Sequence, residues 1–159
     1  MFADSHIHLD RYPAKEAFAL LARARQAGVS RFLTIGVDLA SSEHAILLAR
    51  HAEGLYAAVG LHPAYLAEDF ASQVSDYQER LEALVQGAWE VVVAIGEAGI
   101  DLVDAQAPLE AQRLAFRLQL HLAYVLKLPV ILHHQGAEAH CQELVQAIRQ
   151  ERRYPPRVV

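Results

Sequence analysis

The sequence predicts a parallel α/β fold, read as five βα units of an incomplete (β/α)8 barrel. Three observations carry this. Apolar strand-like runs alternate with helical stretches five times along the chain. The runs are nearly continuous in apolar residues, as strands covered on both faces require. Residues capable of chemistry stand at the ends of runs one, three, four and five. A barrel gathers such ends at one mouth, whereas an open sheet spreads them along an edge. A five-stranded doubly wound sheet also fits 159 residues, while a whole barrel takes about 250. Convergence of the polar groups favours the barrel.

Phe2 to Leu9 reads as strand one, with Ile7 and Leu9 alternating against Asp4, His6 and His8. Pro13 to Gln26 reads as a helix with an apolar stripe of Ala17, Phe18, Leu21 and Ala24, stopped by Gly28. Arg31 to Val37 is a buried-type strand. Ser41 or Ser42 is expected to cap the next helix, which runs through Ala45, Leu48 and Ala49 to Gly54. Leu55 to Leu61 is strand three, closed by His62-Pro63. A helix is expected over about Ala71 to Gln86, then strand four over Val91 to Gly96. Pro108 suits the first turn of a helix through Leu114, Leu118, Leu122 and Val125. Pro129 to His133 is strand five, and the last helix uses Cys141, Leu144, Val145 and Ile148. Tyr154 to Val159 reads as a turn feeding a sixth strand. No linker or low-complexity segment interrupts the pattern, so residues 1–159 are expected to form a single domain.

The chain is 53% hydrophobic and 21% charged, an ordinary globular balance. A net charge of −5 argues against a broad basic nucleic-acid surface, though not against a small site for one strand end. A single cysteine, Cys141, excludes an internal disulfide and fits a reducing compartment. No stretch approaches the roughly 18 apolar residues of a membrane span, and the N-terminus lacks a signal-peptide pattern. A cytoplasmic protein without membrane contact is expected.

His6 and His8 are two residues apart, so a strand turns both imidazoles to one face, where they can grip one metal ion. Asp4 lies on the same face and could orient a ring. Three polar groups on an apolar strand need compensation, and coordination supplies it; surface or core histidines are the alternative. Glu97 follows strand four between Gly96 and Gly99, which allow close backbone approach. Its carboxylate can bridge two ions; a helix-cap or loop carboxylate is the alternative. His133 ends strand five as a ligand or a satisfied core histidine. His62, at the end of strand three, could hold a phosphate or sugar. His134 faces away from His133. His44, His51, His121 and His140 lie on helices, solvated or interfacial.

Four runs then carry a resemblance. Asp4-Ser5-His6-Ile7-His8-Leu9-Asp10, Gly60-Leu61-His62-Pro63, Ile95-Gly96-Glu97-Ala98-Gly99-Ile100-Asp101 and Leu128-Pro129-Val130-Ile131-Leu132-His133 resemble, in order, motifs of the TatD family of metal-dependent deoxyribonucleases. The resemblance spans the chain and implies a TIM-barrel-type (β/α)8 metallohydrolase, of which this would be the N-terminal three-fifths. By that resemblance, His6 and His8 would bind one metal, Glu97 would bridge two as the catalytic carboxylate, and His133 would bind the second. His62 and Asp101 would help hold substrate. The cofactors implied are divalent ions, two in a full-length site, of magnesium, manganese or zinc. The implied substrate is DNA, trimmed at strand ends by phosphodiester hydrolysis.

Two departures accompany the resemblance. His134-Gln135-Gly136-Ala137 stands where the family places a serine, an arginine and a small-to-acidic pair. Its further metal histidine and aspartate have no counterpart before Val159. The isolated chain is therefore expected to be poorly stable or self-associating through exposed sheet edges, and weakly active or inactive. Rival readings are a metallohydrolase acting on another ester, a non-catalytic fragment of the same fold, and a doubly wound binding module. Strand four offers no lysine of the kind that cyclic-amide hydrolases carbamylate. The missing Gly-rich loop after strand one argues against the binding module.

Overall fold

Strands and helices alternate throughout the computed structural model, which describes residues 1–150. The strands are β1 (Phe2–Ile7), β2 (Val29–Ile35), β3 (Leu55–Val59), β4 (Val92–Asp101) and β5 (Val130–Gln135). Every neighbouring pair is parallel, and the spatial order β1-β2-β3-β4-β5 follows the chain. A doubly wound sheet reverses its order at a switch point; this sheet never does. The architecture is a partial (β/α) barrel, and the doubly wound alternative falls.

Side-chain alternation splits the apolar residues into two layers. Phe32, Val59, Ile95 and Val130 join the large core beneath the helices α1 (Ala14–Gln26), α2 (Leu39–Arg50), α3 (Val74–Gln86), α4 (Leu109–Leu126) and α5 (Glu138–Gln150). Their neighbours Leu33, Ala58, Ala94 and Ile131 turn the other way and pack with Ile35 into a small inner layer. Alanine at two of these four strand positions suits the concave side, where side chains converge.

Several boundaries differ from the sequence expectations, each for a local reason. β1 stops at Ile7, and buried Leu9 begins a short 3-10 turn, Leu9–Arg11. Asp38, not Ser41 or Ser42, caps α2: its carboxylate accepts the Ser41 N–H at 2.7 Å, and Ser41 Oγ accepts the Asp38 N–H at 2.9 Å. That reciprocal pair forms a capping box and starts the helix at Leu39. α2 ends at Arg50, before Gly54. A separate 3-10 turn, Phe70–Ser72, precedes α3, which begins at Val74. Pro108 sits just before α4 rather than inside its first turn. On α5 only Leu144 of the expected stripe is fully buried; Cys141 is exposed and Val145 is 38% exposed.

The largest difference is at β4. It runs to Asp101, so Glu97 and Asp101 lie within the strand rather than in a loop after it. The expected turn and strand over Tyr154 to Val159 lie outside the described residues.

Candidate functional site

The strands converge on an open cleft of about 290 Å³ lined by His8, Arg11, His62, Glu97, Asp101 and His133, among others. Glu97 is at its centre. Its Oε2 lies 3.4 Å from His6 Nε2 and 3.5 Å from His8 Nε2, while its Oε1 lies 3.6 Å from His133 Nδ1. These separations exceed ordinary hydrogen bonds. They match the roughly 3.3 Å between two ligands that share a tetrahedral ion at about 2.05 Å from each. The donor set, two imidazoles and a carboxylate, suits a divalent metal, so the residues present fit one.

The other group is built differently. Ala64 N–H donates to His62 Nδ1 at 3.1 Å, which leaves the His62 proton on Nε2. With both rings neutral, that proton is donated to His133 Nδ1 at 3.0 Å, and His133 Nε2–H donates to Asp101 Oδ2 at 3.1 Å. Asp101 Oδ1 accepts the Val103 and Asp104 N–H groups, each at 2.8 Å. Every polar atom in this chain of bonds has a partner. His62, Asp101 and His133 are also close enough together to hold an ion.

Charge and burial act oppositely on the two histidines. Burial first, then repulsion from His133, pushes His62 down to about 4. Glu97 chiefly, with Asp101, raises His133 against its own desolvation; at 3.6 Å we read the Glu97 contribution as charge attraction rather than a hydrogen bond. Burial favours neutral Glu97, but His133, His6 and the other imidazoles outweigh it and hold the carboxyl below its ordinary range. Asp101 is likewise held low by backbone N–H groups and His133 against its burial.

Three expectations need correction. Asp4 does not orient a ring: it is exposed, and its carboxylate accepts the His6 backbone N–H at 3.3 Å. Asp10 takes that place, its Oδ1 lying 3.5 Å from His8 Nδ1, which also faces Ile35 O at 3.3 Å. Residues Phe2 to His6 of the outer strand β1 are exposed, so desolvation does not compel coordination there. Gly96 and Gly99 admit a strand rather than a ligand. A Cβ on Gly99 would fall 1.8 Å from His133 O, and one on Gly96 2.6 Å from Ile131 O.

The structure brings His6, His8, Glu97, His133, His62 and Asp101 together, and leaves His134, His51 and His121 apart. His134 bonds Ala137 O instead. Sequence reasoning missed Arg11, Gln112 and Gln119. Among the described residues, Arg11 is the only lysine or arginine lining the cleft, and its guanidinium lies 3.4 Å from Tyr65 Oη.

A family model described as TatD related DNase matches residues 3–159. The chain belongs to that TatD family. Among its relatives is the uncharacterised metal-dependent hydrolase YjjV of Escherichia coli K12, 38% identical over 83% of this chain and 50% of the relative. Another is a 3'-5' ssDNA/RNA exonuclease TatD of Cronobacter sakazakii, 42% identical over 76% of this chain and 43% of the relative. The crystal structure of YjjV superposes with a TM-score of 0.79 at 31% identity, covering 94% of this chain and 55% of that one. This TatD-family chain thus spans about half the length of the curated relatives it matches. Among the described residues, no helix is long and apolar enough to cross a membrane.

Proposed function

We propose that this chain carries part of the active site of a metal-dependent phosphodiester hydrolase that trims DNA strand ends. One observation carries the reading: the two oxygens of Glu97 face two separate imidazole groups, His6 with His8 and His133. His6, His8 and Glu97 would hold one divalent ion; Glu97 and His133 would hold a second, for which His133 Nδ1 would have to give up the His62 Nε2–H while the His133 Nε2–H stays on Asp101. When bound, such ions neutralise phosphoryl charge and acidify water. The names of relatives extend the substrate class to single-stranded DNA or RNA, and a cytoplasmic setting completes the proposal.

The chain's own residues divide the remaining work. Arg11 supplies the permanent positive charge that a phosphate needs in a cleft otherwise lined by Glu97, Asp101 and Asp104. His62 and Asp101 have their polar atoms engaged within the protein, so we assign them to holding His133 rather than to direct substrate contact. Catalytic zinc sites keep about three protein ligands. The first ion finds three among the described residues and the second only two, so weak activity is expected of this chain alone.

The test is incubation of the purified chain with manganese and a labelled single-stranded oligonucleotide, beside His6→Ala. Slow, chelator-sensitive shortening that His6→Ala abolishes supports the reading. Robust trimming overturns the expectation of weakness. Equal, near-zero metal content after dialysis in both proteins overturns the hydrolase assignment and favours a non-catalytic role.

A further inference from the structure

We propose that Gln112 and Gln119 are positioning residues, each fixing one end of the His62–His133–Asp101 chain of hydrogen bonds. The inference rests on reading that chain as part of a hydrolytic site, but its test requires no hydrolysis. Gln112 is 2% exposed and Gln119 is fully buried. Two turns of α4 separate them, so they share one helix face about 10.5 Å apart. A buried primary amide is unfavourable unless its donors and acceptor are satisfied. Each bonds backbone at, or next to, a residue of the site, and each amide also donates elsewhere, Gln112 to Ala107 O and Gln119 to Ala115 O at 3.3 Å.

Gln119 Oε1 accepts the Leu61 N–H at 2.8 Å, and Gln119 Nε2 donates to the Leu61 carbonyl at 2.9 Å. It thus does for Leu61 what a neighbouring strand would do, just past the end of β3 and one residue before His62. Gly60 makes room for this: a Cβ there would lie 2.7 Å from Gln119 Oε1. Gln112 Oε1 accepts the N–H of Asp101 itself at 2.8 Å, and its Nε2 donates to the Ala107 carbonyl at 2.9 Å. The latter bond ties back the turn whose Val103 and Asp104 N–H groups hold the Asp101 carboxylate. One rigid helix therefore sets the separation of His62 and Asp101, and His133 spans it. A glutamine that only filled the interface between helix and sheet would have no reason to select these two backbone sites.

The test is nitrogen–proton NMR of the histidine rings in the metal-free full chain, comparing wild type with Gln119→Met, Gln112→Met and Leu122→Ala. Leu122 is buried on the same helix and controls for lost stability. Gln119→Met is expected to abolish the hydrogen-bonded Nε2–H signal of His62 first, and Gln112→Met that of His133 first. Leu122→Ala lowers the melting temperature while leaving both signals in place. If either methionine variant fails to fold, the isosteric Gln119→Glu and Gln112→Glu replace it. Each keeps the backbone N–H acceptor and loses the amide donor, so a smaller change with the same selectivity is expected. Unchanged ring signals in the glutamine variants, or equal change in Leu122→Ala, overturn the proposal. Neither result bears on the hydrolase reading, which stands or falls on metal binding and strand trimming.

Discussion

His6 and His8 lie 3.4 and 3.5 Å from Glu97, too far for hydrogen bonds, whereas His62, His133 and Asp101 are linked at 3.0 and 3.1 Å. The His6 side chain is 42% exposed and the Asp101 side chain 1%. One half of the cleft leaves the Nε2 atoms of the partly exposed His6 and His8 without a hydrogen bond; the other satisfies every ring nitrogen and carboxylate oxygen, with His62 and Asp101 buried and His133 part-buried. Free donors at coordination spacing suit a cation that arrives from solution. Satisfied donors suit a fixed support. Position accounts for part of the contrast: His62 follows β3 and Asp101 ends β4, strands flanked on both sides, whereas His6 lies on β1 and His133 on β5, the two outer strands.

The most severe way to break this contrast is to disturb both halves at once. Gly99 pairs with His133 across β4 and β5, and a Cβ there would meet His133 O at 1.8 Å. No rotamer relieves a clash with backbone, so β5 must shift away from β4, carrying His133 from Glu97 and Asp101. Gly99→Ala is expected to cost about 3 kcal/mol, the upper part of the overpacking range, measured by urea unfolding. Stability within about 0.5 kcal/mol of wild type would contradict the packing.

Glu97→Gln separates the halves. It removes the carboxylate that faces His6 and His8 but leaves the bonds from Ala64 to Asp101 intact. Losing a ligand should weaken metal binding at least as much as losing a ligand's support, so a drop of about 100-fold is expected. Calorimetric titration with manganese or zinc measures it, and near wild-type affinity would remove Glu97 from the centre.

The architecture was legible because parallel barrels write it repeatedly: each strand is a short apolar run such as Arg31-Phe32-Leu33-Thr34-Ile35, each followed by an amphipathic helix. The gathering of His6, His8, Glu97 and His133 was legible too, because strand ends in a barrel meet. What the sequence left hidden depended on contacts between distant segments. The length of β4 is set by pairing of Gly99 to Asp101 with His133 to Gln135, and the local glycines suggested instead close approach at a ligand site past the strand's end. Asp10 stood inside a motif already read, but its role depends on a turn that brings it back under His8. Gln112 and Gln119 did leave a signal, as polar residues on the apolar face with Ala115 and Leu122. That signal is weak, because a helix stripe tolerates occasional polar positions.

The buried half is sharpened by pH. His62 has a folded pKa of about 4 against an ordinary 6.5, from burial and then from His133. Between these values the unfolded chain binds the proton and the folded chain does not. Stability therefore falls as pH drops from about 6.5 toward 4. His133 is raised, so its contribution has the opposite sign: present at low pH, and lost as pH rises through its folded value. The two oppose each other, and wild type alone hides both. Removing His62 unmasks the difference. His62→Gln is expected to be relatively more stable at pH 5 than at pH 7.5, by about 1–2 kcal/mol, in metal-free unfolding experiments. An equal effect at both pH values would mean that His62 titrates normally.

The smallest change probes the support of the open half. Asp10 Oδ1 is buried without a hydrogen-bond partner and lies 3.5 Å from His8 Nδ1. Asp10 is the chief cause of the raised His8 pKa. A carboxylate behind a ligating imidazole fixes the ring's orientation and increases its basicity, and its loss costs about 10- to 100-fold in metal affinity. Here His8 Nδ1 also faces Ile35 O at 3.3 Å, and that carbonyl remains in Asp10→Asn to hold the same tautomer. The substitution removes the charge but only part of the orientation, so the expected loss is about tenfold. A loss comparable to that of Glu97→Gln would mean that the carbonyl contributes nothing and that Asp10 alone orients His8. No loss at all would mean that the ring is set by β1 and Glu97 without support from behind.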